Sequence, residues 1–187
     1  SATRARTQFL ANMSHEIRTP MTSILGYAEL LSDPDQSAHE RSRCIETIRS
    51  NADHLLSLIN DILDLSRIEA GQMTIEKTRC CPAQIVNEVV ALMRGRASAR
   101  DLDLSVHFDS PIPEFIHSDP VRLRQILINL IGNAVKFTYE GGVRLHVRFD
   151  TQHTAGPRMV FRVIDTGIGI SPSQQTRLFR PFTQADS

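Results

Sequence analysis

Two helical stretches of roughly thirty residues each, separated only by a break at Asp33-Pro34-Asp35, constrain this chain more than any other feature. In the second stretch Ile45, Ile48, Ala52, Leu55, Ile59 and Ile62 recur at alternating spacings of three and four, a heptad seam that Leu56 and Leu63 widen. The first stretch, from Ala2 to Ser32, carries Phe9, Met13, Ile17, Ile24, Ala28 and Leu31 on one stripe. Ser37 and Glu40 form an S-x-x-E capping box, so a new helix starts almost at once. Helices joined so tightly fold back antiparallel. A single hairpin cannot bury two wide apolar faces, so a second copy is expected to complete a dimeric four-helix bundle. The alternative is that the following domain covers the open face. Gly71 stands where the second helix needs its C-cap.

Within the first stretch, Ser14-His15-Glu16-Ile17-Arg18-Thr19-Pro20 sets a histidine beside a carboxylate and one turn before a threonine. Residues four apart share a helix face, so His15 and Thr19 are neighbours, with Glu16 alongside. His15 falls roughly opposite the apolar stripe and is expected to face water. Pro20 lacks an N–H and crowds the carbonyl of Glu16, at about 3 kcal/mol in a helix interior, so a bend is expected there. Taken alone, this could be a surface histidine next to a structural proline.

Composition narrows the classes. At 187 residues the chain suits two modest domains, and 41% hydrophobic with 22% charged residues marks it as globular. Twenty-one basic residues balance 21 acidic ones, so no bulk field favours nucleic acid. With eight Phe, two Tyr and no Trp there is little for a base-stacking platform. No apolar run approaches the roughly 20 residues that span a bilayer, and no secretory pattern opens the chain, so this segment is expected not to insert in a membrane. Cys44, Cys80 and Cys81 have no metal-ligand spacing and read as reduced thiols of a cytosolic protein.

After Gly71 the pattern changes. Met73–Glu76 reads as a short strand, Pro82 starts a helix carrying Ile85, Val86, Val89, Val90, Leu92 and Met93, and Leu102–Phe108 alternates as a strand. Asp119-Pro120 gives an N-cap and a proline at the first helical position of a helix to about Phe137. Val143–Phe149 and Met159–Asp165 alternate at period two and should pair as a hairpin; Ser171-Pro172-Ser173-Gln174 is a second capping box opening a helix towards Pro181. Strands largely in hairpins, mixed with helices, predict an α+β layer sandwich.

A second group of residues sits in the helix from Pro120. Leu123, Ile126, Leu127, Leu130, Ile131 and Ala134 are expected to form its apolar face, with Asn129, Asn133 and Lys136 at i, i+4 and i+7 on the flank. Asparagine is a poor mid-helix residue and Gly132 costs about 1 kcal/mol against alanine. Two amide oxygens and an ammonium suit a hydrated Mg²⁺ and its phosphates, although a merely solvated flank has the same polarity. Asp165-Thr166-Gly167-Ile168-Gly169-Ile170 follows a strand; a carboxylate buried there could accept an exocyclic amine while the glycines admit a base against the backbone. It lacks the third glycine of a dinucleotide fingerprint, and an ordinary turn remains open.

Phe9–Met21 resembles the phosphoacceptor H box of two-component sensor histidine kinases nearly residue for residue. Arg122–Thr138 resembles the N box of their ATP-binding domains, Asp165–Gly169 the G1 box and Leu178–Phe182 the F box, in the family's order. The resemblance implies that His15 takes the γ-phosphoryl group of ATP, that Glu16 accepts the second ring proton as a general base, and that Thr19 orients a water for dephosphorylating a partner regulator. It further implies that Asn133 binds Mg²⁺, Asn129 and Lys136 meet phosphate or metal, Asp165 reads the adenine amino group, and Gly167 and Gly169 shape the adenine pocket. Phe179 and Phe182 would anchor a lid.

The implied architecture is multidomain. Residues 1–71 would be a dimerisation and phosphoacceptor hairpin, and 72–187 an incomplete α/β sandwich of the histidine-kinase and Hsp90-like ATPase type. The family continues into an ATP lid and a glycine-rich G2 box, so the chain as written is expected to bind ATP poorly, and a lid loop is where order is expected to be lost. The expected activity is ATP-dependent autophosphorylation of His15 and transfer to an aspartate of a response-regulator receiver domain, in a cytoplasmic homodimer. By resemblance to hybrid sensor kinases, a receiver domain fused downstream is also expected. The alternative is a non-catalytic dimeric scaffold, whose H, N or G1 box should be damaged; all three are intact. An ATPase of the gyrase and Hsp90 type would have no use for the His15 hairpin.

Overall fold

The computed structural model describes the backbone of residues 2–176 and the side chains of residues 13–176. Among these the chain divides into two compact units, one of residues 2–73 with 173–176, the other Thr74–Pro172.

The first unit is a helical hairpin of α1 (Ala2–Leu30) and α2 (Ala38–Glu69). The capping box at its turn forms as read: the Glu40 N–H donates to Ser37 Oγ at 3.2 Å, and the Ser37 N–H donates back to Glu40 Oε2 at 3.0 Å. At the far end Ala70 is the cap, and Gly71 takes φ +64, the left-handed conformation that closes a Schellman motif. Its two bonds are Gln72 N–H to Arg67 O at 2.8 Å and Gly71 N–H to Ile68 O at 3.0 Å.

The predicted seam of α2 splits into two ladders. Ile48, Ala52, Leu55 and Ile62, with Leu58 and Leu65, are half-buried, whereas Leu56, Ile59 and Leu63 lie exposed at their own spacing of three and four. Ile45, expected on the seam, is 54% exposed. In α1, Met13, Ile17 and Ile24 are half-buried as a stripe that Leu31 continues just past its end, while Met21, Leu25 and Ala28 face out. A helix with two apolar ladders satisfies only one of them in a two-helix hairpin.

The second unit holds the closed core. β1 (Thr78–Cys80) pairs antiparallel with β3 (Ile116–Ser118), and β2 (Asp103–Phe108), β4 (Gly142–Asp150) and β5 (Arg158–Asp165) form a sheet in the order β2-β4-β5. Helices α3 (Pro82–Ser98) and α4 (Pro120–Phe137) pack on it; α5 (Pro172–Gln175) is one turn. Val143, Leu145 and Val147 alternate inward from β4 at 0% exposure, against Val86, Val89 and Met93 of α3 and Leu127 and Ile131 of α4.

Four more features differ from expectation. The strand expected at Met73–Glu76 is irregular; the strand begins at Thr78, where β3 supplies a partner, while the Glu76 N–H is taken by the Asp119 carboxylate. The β4–β5 hairpin is present, but β2 pairs with β4 in parallel, Asp103 opposite Gly142 through Phe108 opposite Val147. A parallel pair needs a crossover, and α4 lies within it. On α4 the buried stripe is Leu127, Ile131, Ala134 and Val135; Ile126 and Leu130, expected inside, are 55% and 47% exposed because Val135 and half-buried Ile128 rotate the inward face. Asp165, expected buried, is exposed, because it ends β5, the outer strand of the described sheet. Leu178–Phe182 and the helix expected towards Pro181 beyond Thr176 lie outside the described residues.

Candidate functional site

Two groups of residues carry chemistry, one in each unit. On α1, His15 is exposed, and its ring has no partner among the described residues. Thr19 is exposed one turn on, its Oγ1 donating to the His15 carbonyl at 3.2 Å. That local bond satisfies the threonine through the backbone and leaves the imidazole open to an incoming reactant. Glu16 is half-buried beside it. Pro20 is buried, and α1 runs unbroken across it as far as Leu30. A neutral imidazole has one ring nitrogen with a lone pair and one carrying a proton, so a neighbouring carboxylate can take that proton when the first nitrogen attacks an electrophile.

In the second unit, Asn129, Asn133 and Lys136 are all exposed on one flank of α4. Among the described residues neither asparagine spends its amide on a neighbour, and Lys136 Nζ lies 4.9 Å from the centre of the Phe137 ring. Gly132 between them is half-buried, and a Cβ there would sit 3.8 Å from Met93 Cε, an ordinary contact. Close packing therefore does not require glycine at that position. Two unengaged amide oxygens one turn apart fit Mg²⁺, which takes oxygen ligands and keeps several waters.

The loop after β5 is fastened to the end of the same helix. The Ile168 N–H donates to Phe137 O at 3.2 Å. A Cβ on Gly167 would lie 2.4 Å from that same carbonyl oxygen, so only glycine lets the loop pass so close. Asp165 has Oδ1 engaged by the Gly167 N–H at 2.9 Å and stands open to solvent. Gly169 takes φ +70, with open space around it. Thr166 lies inside the motif without a sequence signal of its own. Its Oγ1 donates to Glu140 O at 2.8 Å and accepts the Gly142 N–H at 3.1 Å, tying the loop to the start of β4. The Gly141-Gly142 pair was the available signal, since a Cβ on Gly141 would meet Thr166 Oγ1 at 2.4 Å. Arg100 donates to the Lys136 carbonyl at 3.0 Å, placing a cation at the negative end of the α4 dipole. The structure thus brings Asp165, Gly167 and the C-terminal end of α4 together, while the His15 group stands in the other unit.

Comparison with known proteins matches two separate regions of the chain. Residues 5–71 match the His Kinase A (phospho-acceptor) domain, and residues 118–187 match the histidine kinase-, DNA gyrase B- and HSP90-like ATPase family. The signal transduction histidine-protein kinase BarA of Escherichia coli (strain K12) is 37% identical over 186 residues, 100% of this chain and 20% of BarA. The sensory/regulatory protein RpfC of Xanthomonas campestris pv. campestris (strain ATCC 33913) is 39% identical, over 99% of this chain and 26% of RpfC. The chain thus spans about a fifth to a quarter of these relatives. Among solved structures, full-length ShkA in complex with AMPPNP superposes with a TM-score of 0.68 at 39% identity, covering 95% of this chain and 37% of ShkA. Among the described residues no helix is long and apolar enough to cross a membrane. With a phosphoacceptor hairpin at one end, an ATPase-type unit at the other and kinase relatives aligned along its full length, the chain belongs to the sensor histidine kinases.

Proposed function

We propose that the protein containing this chain moves the γ-phosphoryl group of ATP onto His15 and then to an aspartate of a response-regulator receiver domain. The observation that carries the reading is His15 itself, exposed and with no ring partner among the described residues, in a hairpin matched by the phosphoacceptor family. In the first step a ring nitrogen of His15 bonds to the γ-phosphorus, the bond from that phosphorus to the bridging oxygen breaks, and ADP leaves. Glu16 takes the proton from the other ring nitrogen. Thr19 orients the water that later dephosphorylates the regulator.

On this reading residues 1–71 form the phosphoacceptor domain and 72–187 the ATP-binding domain. Asn133 holds Mg²⁺, with Asn129 and Lys136 towards metal or phosphate. Bound Mg²⁺ supplies charge neutralisation on the transferring phosphates. Asp165 has one carboxylate oxygen left after Gly167 to receive the adenine amino group, and Gly167 and Gly169 leave room for the base. The exposed ladders Leu56-Ile59-Leu63 and Met21-Leu25 support a homodimer through the hairpin. A reaction fed by ATP and receiver domains places this part of the protein in the cytoplasm.

The test is to incubate the full-length protein with ATP and Mg²⁺ and assay acid-labile, base-stable phosphate. Labelling is expected in the wild type and absent in His15→Gln; equal labelling of the two overturns the acceptor assignment. Asn133→Asp is expected to lose labelling and remain a dimer. A non-catalytic scaffold would show no labelling and need not bind nucleotide.

A further inference from the structure

Asp119, a residue only 8% exposed, uses both oxygens of its carboxylate. Oδ1 accepts the N–H groups of Val121 and Arg122, each at 3.0 Å, which closes the start of α4. Oδ2 accepts the N–H of Glu76 at 3.1 Å, from 43 residues earlier in the chain. Glu76 lies in the irregular segment 72–77 that leads out of α2, a few residues past its Schellman stop. The same carboxylate therefore caps the helix bearing Asn129, Asn133 and Lys136 and holds the strap arriving from the phosphoacceptor hairpin.

An N-cap alone does not ask for this residue. Serine, threonine or asparagine caps a helix about as well with a single oxygen. The second acceptor, aimed away from the helix, is what a carboxylate adds, since the amide nitrogen of asparagine cannot accept an N–H. The N–H of Arg122 foremost, with those of Glu76 and Val121, holds the Asp119 carboxyl below its ordinary value, so it is ionised and acceptor-only at neutral pH.

We propose that Asp119 is a positioning residue for phosphoryl transfer, acting through its bond to the Glu76 N–H, which fastens the segment leaving α2 to the first turn of the nucleotide-site helix. The inference rests on the kinase reading above. A strap anchored at that turn shortens the free tether between α2 and the nucleotide-site helix to the few residues before Glu76. Once the strap is released, the nucleotide residues of α4 stay as they are while the free tether lengthens, so transfer slows without loss of nucleotide affinity.

The experiment uses the full-length kinase with Asp119→Asn, which keeps the cap and loses the second acceptor, and Glu76→Pro, which removes the donor. Titration with a fluorescent ATP analogue, the initial rate of His15 labelling at saturating ATP, and thermal melting are measured for each and for the double variant. Each single variant is expected to bind the analogue within about twofold of wild type and to label about tenfold more slowly, a loss in kcat and not in affinity. The double variant is expected to be no slower than either single, because both remove one bond. Should Glu76→Pro fail to fold, Asp119→Ser, a one-oxygen cap, is expected to repeat the Asn result. Wild-type labelling rates in Asp119→Asn, or rate losses that multiply in the double variant, overturn the proposal. A wild-type protein that does not label at His15 sinks the kinase reading and this inference with it, whereas normal wild-type labelling with unaffected variants sinks the inference alone.

Discussion

The two units handle apolar surface in opposite ways. In the sheet-and-helix unit, Val86, Val89, Met93, Ile131, Val143, Leu145 and Val147 reach 0% exposure. In the hairpin, Leu25, Leu56 and Leu63 stay at 50–61% exposed, and the buried residues of α2 reduce to Cys44. A sheet with two helices on one face closes a core with its own strands. Two helices side by side have too little surface between them and leave a second ladder over. The second unit completes its core within the chain, whereas the hairpin keeps an exposed apolar ladder that the proposed homodimer would cover.

Substitutions in each unit test this difference. The largest expected effect is in the closed core: Leu145→Ala should cost about 2–5 kcal/mol in denaturant unfolding of the second unit, with no dependence on protein concentration. A cost well under 1 kcal/mol would mean that this core is looser than its burial suggests. Next, Ile59→Glu combined with Leu63→Glu should weaken self-association by about a hundredfold, or roughly 3 kcal/mol, in sedimentation equilibrium, while leaving the second unit's unfolding in place. Undiminished association would move the interface off these ladders. Ser37→Ala should destabilise the hairpin by about 1 kcal/mol through loss of the capping box, read as a lower melting temperature that recovers as concentration rises. The smallest effect sharpens the contrast: Gly132→Ala should stabilise the second unit by up to about 1 kcal/mol, because the site has room for a methyl group. A destabilisation there would show a packing or conformational need for glycine that the Met93 contact does not reveal.

Local chemistry was readable wherever the partner lies a few residues away. The Ser37–Glu40 box, the Gly71 stop, the Asp119-Pro120 start and the β4–β5 hairpin each join residues close in the chain, so composition and spacing identify them. The exposed face of His15 followed from helical period alone. Other features required distant partners. Thr78–Cys80 became a strand because Ile116–Ser118 lies beside it, and β2 joined β4 in parallel across an intervening helix. A run of three residues carries too little pattern to announce either.

The candidate sites divide along the same line. By itself, the sequence determined which groups are available: an imidazole beside a carboxylate, two asparagines and a lysine on one helical flank, and an aspartate before a glycine pair. These depend on residue identity and on periods of 3.6 and 2, which the backbone imposes everywhere. Only the tertiary structure decided that the Gly167 loop rests on the Phe137 carbonyl, that Thr166 ties it to β4, that Ile126 and Leu130 face out, and that Asp119 holds Glu76. Each of these depends on contacts between residues far apart in the chain, whose geometry is set by packing the whole core and is carried by no local pattern.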